Sequence, residues 1–145
     1  MEIKKRIPGT KLFSKATILW NNPYHGNPKD EIVFLAGIVG SRAKDKDITE
    51  QTADILAQLD EILQEVSSNK RYLIDAMIFL KDMNDYDAMN SVWQRWLEMP
   101  ESRSRVKADP PTRTCIQATP PLGFLVEIKV VALIPEMHYQ GGPGF

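Results

Sequence analysis

The sequence predicts a single α+β domain, a mixed β-sheet with two helices on one of its faces. Three observations carry this. Two segments place apolar residues at the 3.6-residue period of a helix and leave their remaining positions polar. Five other runs are rich in β-branched or apolar residues and are punctuated by Pro, Gly, Asn and Ser, as strands are. Their order, β-β-α-β-α-β-β, supplies only two helices for several strands, so helices can cover one face and no more.

Taken along the chain, residues 1–12 form an N-terminal arm, and Thr17-Ile18-Leu19-Trp20 is the first strand. Residues 21–30 combine Asn, Pro, Gly and Asp and form a loop. Residues 31–39 are apolar on both faces and read as a central strand, with Gly37 marking a bulge or a close approach to the backbone. A helix begins at Asp47, whose carboxylate caps it with Glu50 three residues on. Its stripe is Ile55, Leu59, Ile62, Leu63 and Val66, and it stops near Ser67-Ser68-Asn69. Residues 72–80 form the third long strand. The second helix spans about residues 85–99, with Tyr86, Met89, Trp93, Trp96 and Leu97 on one side, and Pro100 ends it. Residues 112–118 lie between Pro110-Pro111 and Pro120-Pro121 and form a strand. Residues 125–134 are apolar on both sides, as a central strand would be. Residues 135–145 end in Gly141-Gly142-Pro143-Gly144-Phe145, a flexible tail. Because the second sheet face has no helix to cover it, we expect copies of the chain to cover one another.

The 145 residues suffice for one domain with a core of its own, and the formal charge of −1 leaves no electrostatic footprint for nucleic acid or an anionic membrane. The single cysteine, Cys115, rules out an internal disulfide and fits the reducing cytoplasm. The basic opening, Lys4-Lys5-Arg6, is followed by no apolar stretch, so it is not read as a secretory signal. No run approaches the ~20 apolar residues that span a bilayer.

Two charged residues stand out within apolar strands. Arg113 offers a planar fork of donors that matches a carboxylate in two places, and Glu127 lies on the following strand. If those strands pair as a hairpin, Arg113 and Glu127 are diagonal neighbours. On spacing alone, an ion pair within the sheet is the simpler account of the two, with a small-anion site beside it. Cys115 reads as a small buried apolar residue, since a nucleophilic thiol needs a base and the only histidines, His25 and His138, fall in a loop and the tail. Lys129 reads as solvated or salt-bridged rather than as a Schiff-base amine. The same histidines, with no cysteine pair, build no metal site, and no glycine-rich phosphate loop follows a strand. The basic stretch from Arg103 to Lys107 reads as a solvated loop. Trp93 and Trp96 read as core or interface residues.

From Phe13 to Leu133 the chain resembles the RidA (YjgF) family. The matching stretches are Phe13-Ser14-Lys15-Ala16, Ile32-Val33-Phe34-Leu35-Ala36-Gly37, Asp47-Ile48-Thr49-Glu50-Gln51-Thr52, Ile78-Phe79-Leu80-Lys81-Asp82-Met83, Met89-Asn90-Ser91-Val92-Trp93, Pro111-Thr112-Arg113-Thr114-Cys115-Ile116-Gln117 and Val126-Glu127-Ile128. No one stretch is diagnostic, whereas their order and spacing together are specific. The resemblance implies a chorismate-mutase-like fold assembled as a homotrimer, with the sheets forming an inner barrel and ligand clefts between subunits. It implies hydrolytic deamination of 2-imino acids, tautomers of 2-aminoacrylate, to 2-keto acids and ammonia without a cofactor. In that reading Arg113 grips the substrate carboxylate, Glu127 positions the attacking water, and Asn90, Gly37, Cys115 and Phe13 line the cleft. Phe13 stands where many deaminating members carry Tyr, and Ile38 where Gln is frequent; the loop at residues 21–30 is longer than usual. Two other functions remain in view: a non-catalytic trimer that binds a small carboxylate or a partner protein, and an RNA-cleaving or translation-inhibiting role.

Overall fold

A computed structural model describes residues 1–20, 31–100 and 107–136; residues 21–30 with His25, residues 101–106 with Arg103 and Arg105 of the basic stretch, and residues 137–145 with His138 lie outside them. The strands are β1 (Glu2–Ile7), β2 (Ala16–Trp20), β3 (Glu31–Leu35), β4 (Ile38–Val39), β5 (Leu73–Leu80), β6 (Thr112–Gln117) and β7 (Val126–Ile134), and the helices α1 (Ile48–Glu65) and α2 (Tyr86–Glu98). They form one sheet in the order β1-β2-β3-β7-β5-β6, with β4 also on β7. The helices agree with their sequence bounds to within a residue or so. Asp47 caps α1 by accepting the Glu50 N–H at 2.8 Å, and Ser67, with φ 63°, turns the chain out of it.

Both helices pack on the same face of the sheet. Ile55, Leu59 and Leu63 of α1 and Met89 of α2 are fully buried, against Ala76, Ile78, Leu80, Val126, Ile128 and Val130 of the sheet. The helices are tied together where the Trp96 indole N–H donates to the Asp60 carboxylate at 3.0 Å. Beneath them the buried Lys70 ammonium donates to the Trp96 carbonyl, which lies in the last turn of α2, and stands 5.4 Å from the Trp96 ring.

The opposite face carries Ile32, Phe34, Met77, Phe79, Ile116, Val131 and Leu133, side by side by strand register. Several of these are solvent-exposed, Phe34 by 40% and Ile116 by 43%. Among the described residues no helix covers them, as the count of helices anticipates.

Three features differ from the sequence reading. The N-terminal arm contains a strand: β1 pairs antiparallel with β2, and its Lys4 ammonium reaches the Glu31 carboxylate on β3. Three basic residues in a row hide this strand from a hydrophobic pattern, and they also keep a sheet edge from pairing with foreign strands. The run at residues 31–39 is two strands, broken at Ala36-Gly37, where the Ala36 N–H turns to the Lys15 carbonyl at 2.9 Å. Finally, β6 and β7 are not a hairpin. β6 runs parallel to β5, and β5 separates it from β7.

Candidate functional site

The insertion of β5 decides where the charged residues point. Paired residues share a face of a sheet. Arg113 pairs with Ala76 and Cys115 with Ile78, so both face the helices. Glu127 pairs with Phe79 and faces the other way. The ion pair considered from sequence is therefore absent, because the sheet itself lies between the two groups. Among the described residues neither Arg113 nor Glu127 makes an ion pair.

The Arg113 side is built from the edge strand and α2. Ala76 is only a methyl, which leaves room above it for a long neighbour. The half-buried guanidinium lies 5.6 Å from the Trp93 ring and 5.9 Å from the Tyr86 ring, and donates to the Tyr86 hydroxyl at 3.4 Å. Contact of the cation with the two ring systems restricts where the guanidinium can lie. Asn90, one helical turn before Trp93, has its side-chain oxygen buried with no hydrogen-bond partner. A groove of about 620 Å³ opens here, with Asn90, Trp93, Leu97, Pro111 and Arg113 in its wall. Cys115 is half-buried, and its burial pushes the thiol pKa up while the Arg113 charge pulls it down by less. A thiol held protonated is a poor nucleophile, in line with its reading as a packing residue.

The Glu127 side lies at the end of the sheet where β3 gives way to β4. A methyl group on Gly37 would sit 2.1 Å from Glu127 Oε1, so the bare glycine is what lets the carboxylate lie across this break. The sequence signal of Gly37 as a place of close approach is thus met by Glu127. Phe13 sits in the turn joining β1 to β2, its carbonyl accepting the Thr10 N–H at 2.9 Å, and its ring is exposed. The hydrogen bond between Ala36 and Lys15 brings this turn to the same end of the sheet as Gly37. Lys129 shares the face of Glu127, is exposed, and has no carboxylate partner among the described residues.

The six residues singled out by sequence thus fall into two groups on opposite faces, Arg113, Asn90 and Cys115 on one and Glu127 and Gly37 on the other, with Phe13 at the Gly37 end of the sheet. Sequence reasoning passed over Tyr86 and Trp93 as neighbours of Arg113. Their spacing with Asn90, four residues and then three, places all three on one side of α2 and was the available signal. Among the described residues no cluster of His, Cys, Asp and Glu could hold a metal ion, and no helix is long and apolar enough to cross a membrane.

A family model described as Endoribonuclease L-PSP matches residues 17–134. The RutC family protein YoaB of Escherichia coli K12 is 42% identical over 93 residues, which cover 62% of this chain and 73% of that protein. A RutC family protein of Haemophilus influenzae is 33% identical over 110 residues, 74% of this chain and 85% of its own length. The crystal structure of a YjgF-family protein from Neisseria meningitidis superposes with a TM-score of 0.69 at 32% identity, over 91% of this chain and 95% of that one. With fold, spacing and relatives in agreement from the first long strand to the last, the chain belongs to the YjgF family, also called RidA and RutC.

Proposed function

We propose that this chain hydrolyses 2-imino acids to 2-keto acids and ammonia, in a cleft that two copies of the chain build between them within a homotrimer. The observation that carries this reading is Arg113: a guanidinium set against two aromatic rings in the wall of a groove, with no carboxylate partner of its own among the described residues. Such a group is prepared for a carboxylate from outside. The substrate's carboxylate lies on Arg113, and its protonated imine carbon is already electrophilic. Glu127 then orients a water and takes its proton as the oxygen bonds to that carbon. Glu127 returns that proton to the nitrogen of the tetrahedral carbinolamine; the C–N bond breaks, ammonia leaves, and the hydroxyl gives up its proton to solvent as the ketone forms. Since Arg113 and Glu127 occupy opposite faces of one sheet, the Glu127 of one copy serves the Arg113 of another. The apolar face with Phe34, Met77 and Ile116 supplies the surface that such an assembly buries. The single free cysteine suits action in the cytoplasm.

The reading is tested by letting a serine dehydratase generate 2-iminopropionate and capturing the free imine with semicarbazide. The chain is expected to lower semicarbazone yield in proportion to its concentration. No effect on the yield, with 2-oxobutyrate still bound, leaves a binding protein and removes the enzyme.

The assembly has its own test. Light scattering is expected to give three times the 16.5 kDa chain mass at micromolar concentration. A monomer mass there would separate the two half-sites and defeat the shared cleft.

A further inference from the structure

Arg113 is not the only polar group aimed at its ligand position. Two aromatic rings flank the guanidinium, and they differ in kind. Trp93 is 5% exposed and packs against Trp96 with ring centroids 5.5 Å apart, so it is a fixed wall. Tyr86, in the first turn of α2, is 36% exposed and carries its hydroxyl beside the guanidinium. That hydroxyl accepts from Arg113 Nη2 at 3.4 Å, a long contact of the kind that tightens once a ligand arrives. A hydroxyl has one proton to give and two lone pairs. Arg113 occupies a lone pair, and among the described residues the proton has no acceptor.

We propose that Tyr86 is a ligand-binding residue whose hydroxyl donates to one oxygen of the carboxylate held by Arg113. This rests on the reading of Arg113 as the carboxylate grip and deepens it. The guanidinium supplies two parallel donors from one side and the phenol a third at an angle to them. The hydrogen bond from Arg113 to the phenol oxygen makes the phenol a stronger donor, because polarised hydrogen bonds reinforce one another. A carboxylate oxygen accepts the third bond in full. A carboxamide replaces one oxygen by an NH₂ donor and carries no charge, so its remaining oxygen accepts the phenol's hydrogen bond more weakly than a carboxylate does. Tyr86 therefore makes the site select free 2-keto and 2-imino acids over their amides.

The test is calorimetric titration of the full chain with 2-oxobutyrate and with 2-oxobutanamide, for wild type, Tyr86→Phe and Arg113→Lys. Phe keeps the ring beside the guanidinium, so the melting temperature is expected to stay at the wild-type value. A hydrogen bond to a charged acceptor corresponds to about tenfold or more in affinity, and Tyr86→Phe is expected to lose that for 2-oxobutyrate. Its affinity for the amide should change little. In turnover, KM should rise with kcat held, as for a group that binds ground and transition states alike. Wild-type affinity for 2-oxobutyrate in Tyr86→Phe, with Arg113→Lys weakened, overturns the role of Tyr86 and leaves Arg113 in place. An equal loss for acid and amide also overturns it, since that is the mark of a displaced ring. Arg113→Lys binding like wild type removes the carboxylate grip and Tyr86 with it.

Discussion

Glu127→Gln is expected to slow imine hydrolysis by about 10²–10⁴-fold, the usual range for loss of a general base, with the lower end favoured by a substrate that already hydrolyses quickly in water. The amide keeps the shape and one hydrogen-bonding oxygen, and it accepts no proton at neutral pH. Binding of 2-keto acids should persist, because Arg113 holds the carboxylate and Glu127 acts only on the water. Stability should persist too. Glu127 has no ion-pair partner among the described residues, so the substitution strands no buried counter-charge. Single-turnover rates measured beside 2-oxobutyrate affinity and melting temperature separate these effects. Undiminished turnover in a stable Glu127→Gln protein would take Glu127 out of the chemistry.

The second large effect is expected at Arg113. Arg113→Lys should weaken 2-oxobutyrate binding by about 10–100-fold, the equivalent of one charge-assisted hydrogen bond and its geometry. The positive charge survives, so the loss measures the fork alone. Lys presents a rotatable point charge and lacks the planar fork that the guanidinium holds beside the Tyr86 and Trp93 rings. Turnover at low substrate should fall in parallel. Unchanged affinity would mean that the carboxylate binds elsewhere.

Much of this protein was legible in its sequence because periodicity, caps and breakers are local. Asp47 and Pro100 mark ends of the two helices. The 3.6-residue stripes of Ile55, Leu59 and Leu63 and of Met89, Trp93 and Trp96 gave the buried faces, and the deficit of helices gave one open sheet face. The apolar double face of β7 fits its central place, and the polar alternation of β6 fits an edge. Gly37 was recognisable as a point of close approach before its partner was known.

Pairing was not legible. An alternating pattern states which residues share a face of their own strand, and says nothing about which strand comes next to it. That β5 slips between β6 and β7 is settled by tertiary packing. It costs the chain a parallel pairing and allows α2 to return over the sheet beside Arg113. The basic β1 likewise exists as a strand only because β2 offers it an edge and Glu31 a counter-charge. The sequence by itself determined which side chains are suited to chemistry, since a guanidinium, a carboxylate and a bare glycine carry their properties with them. Only the tertiary structure decided that Arg113 and Glu127 face apart, because that depends on contacts between residues distant in the chain.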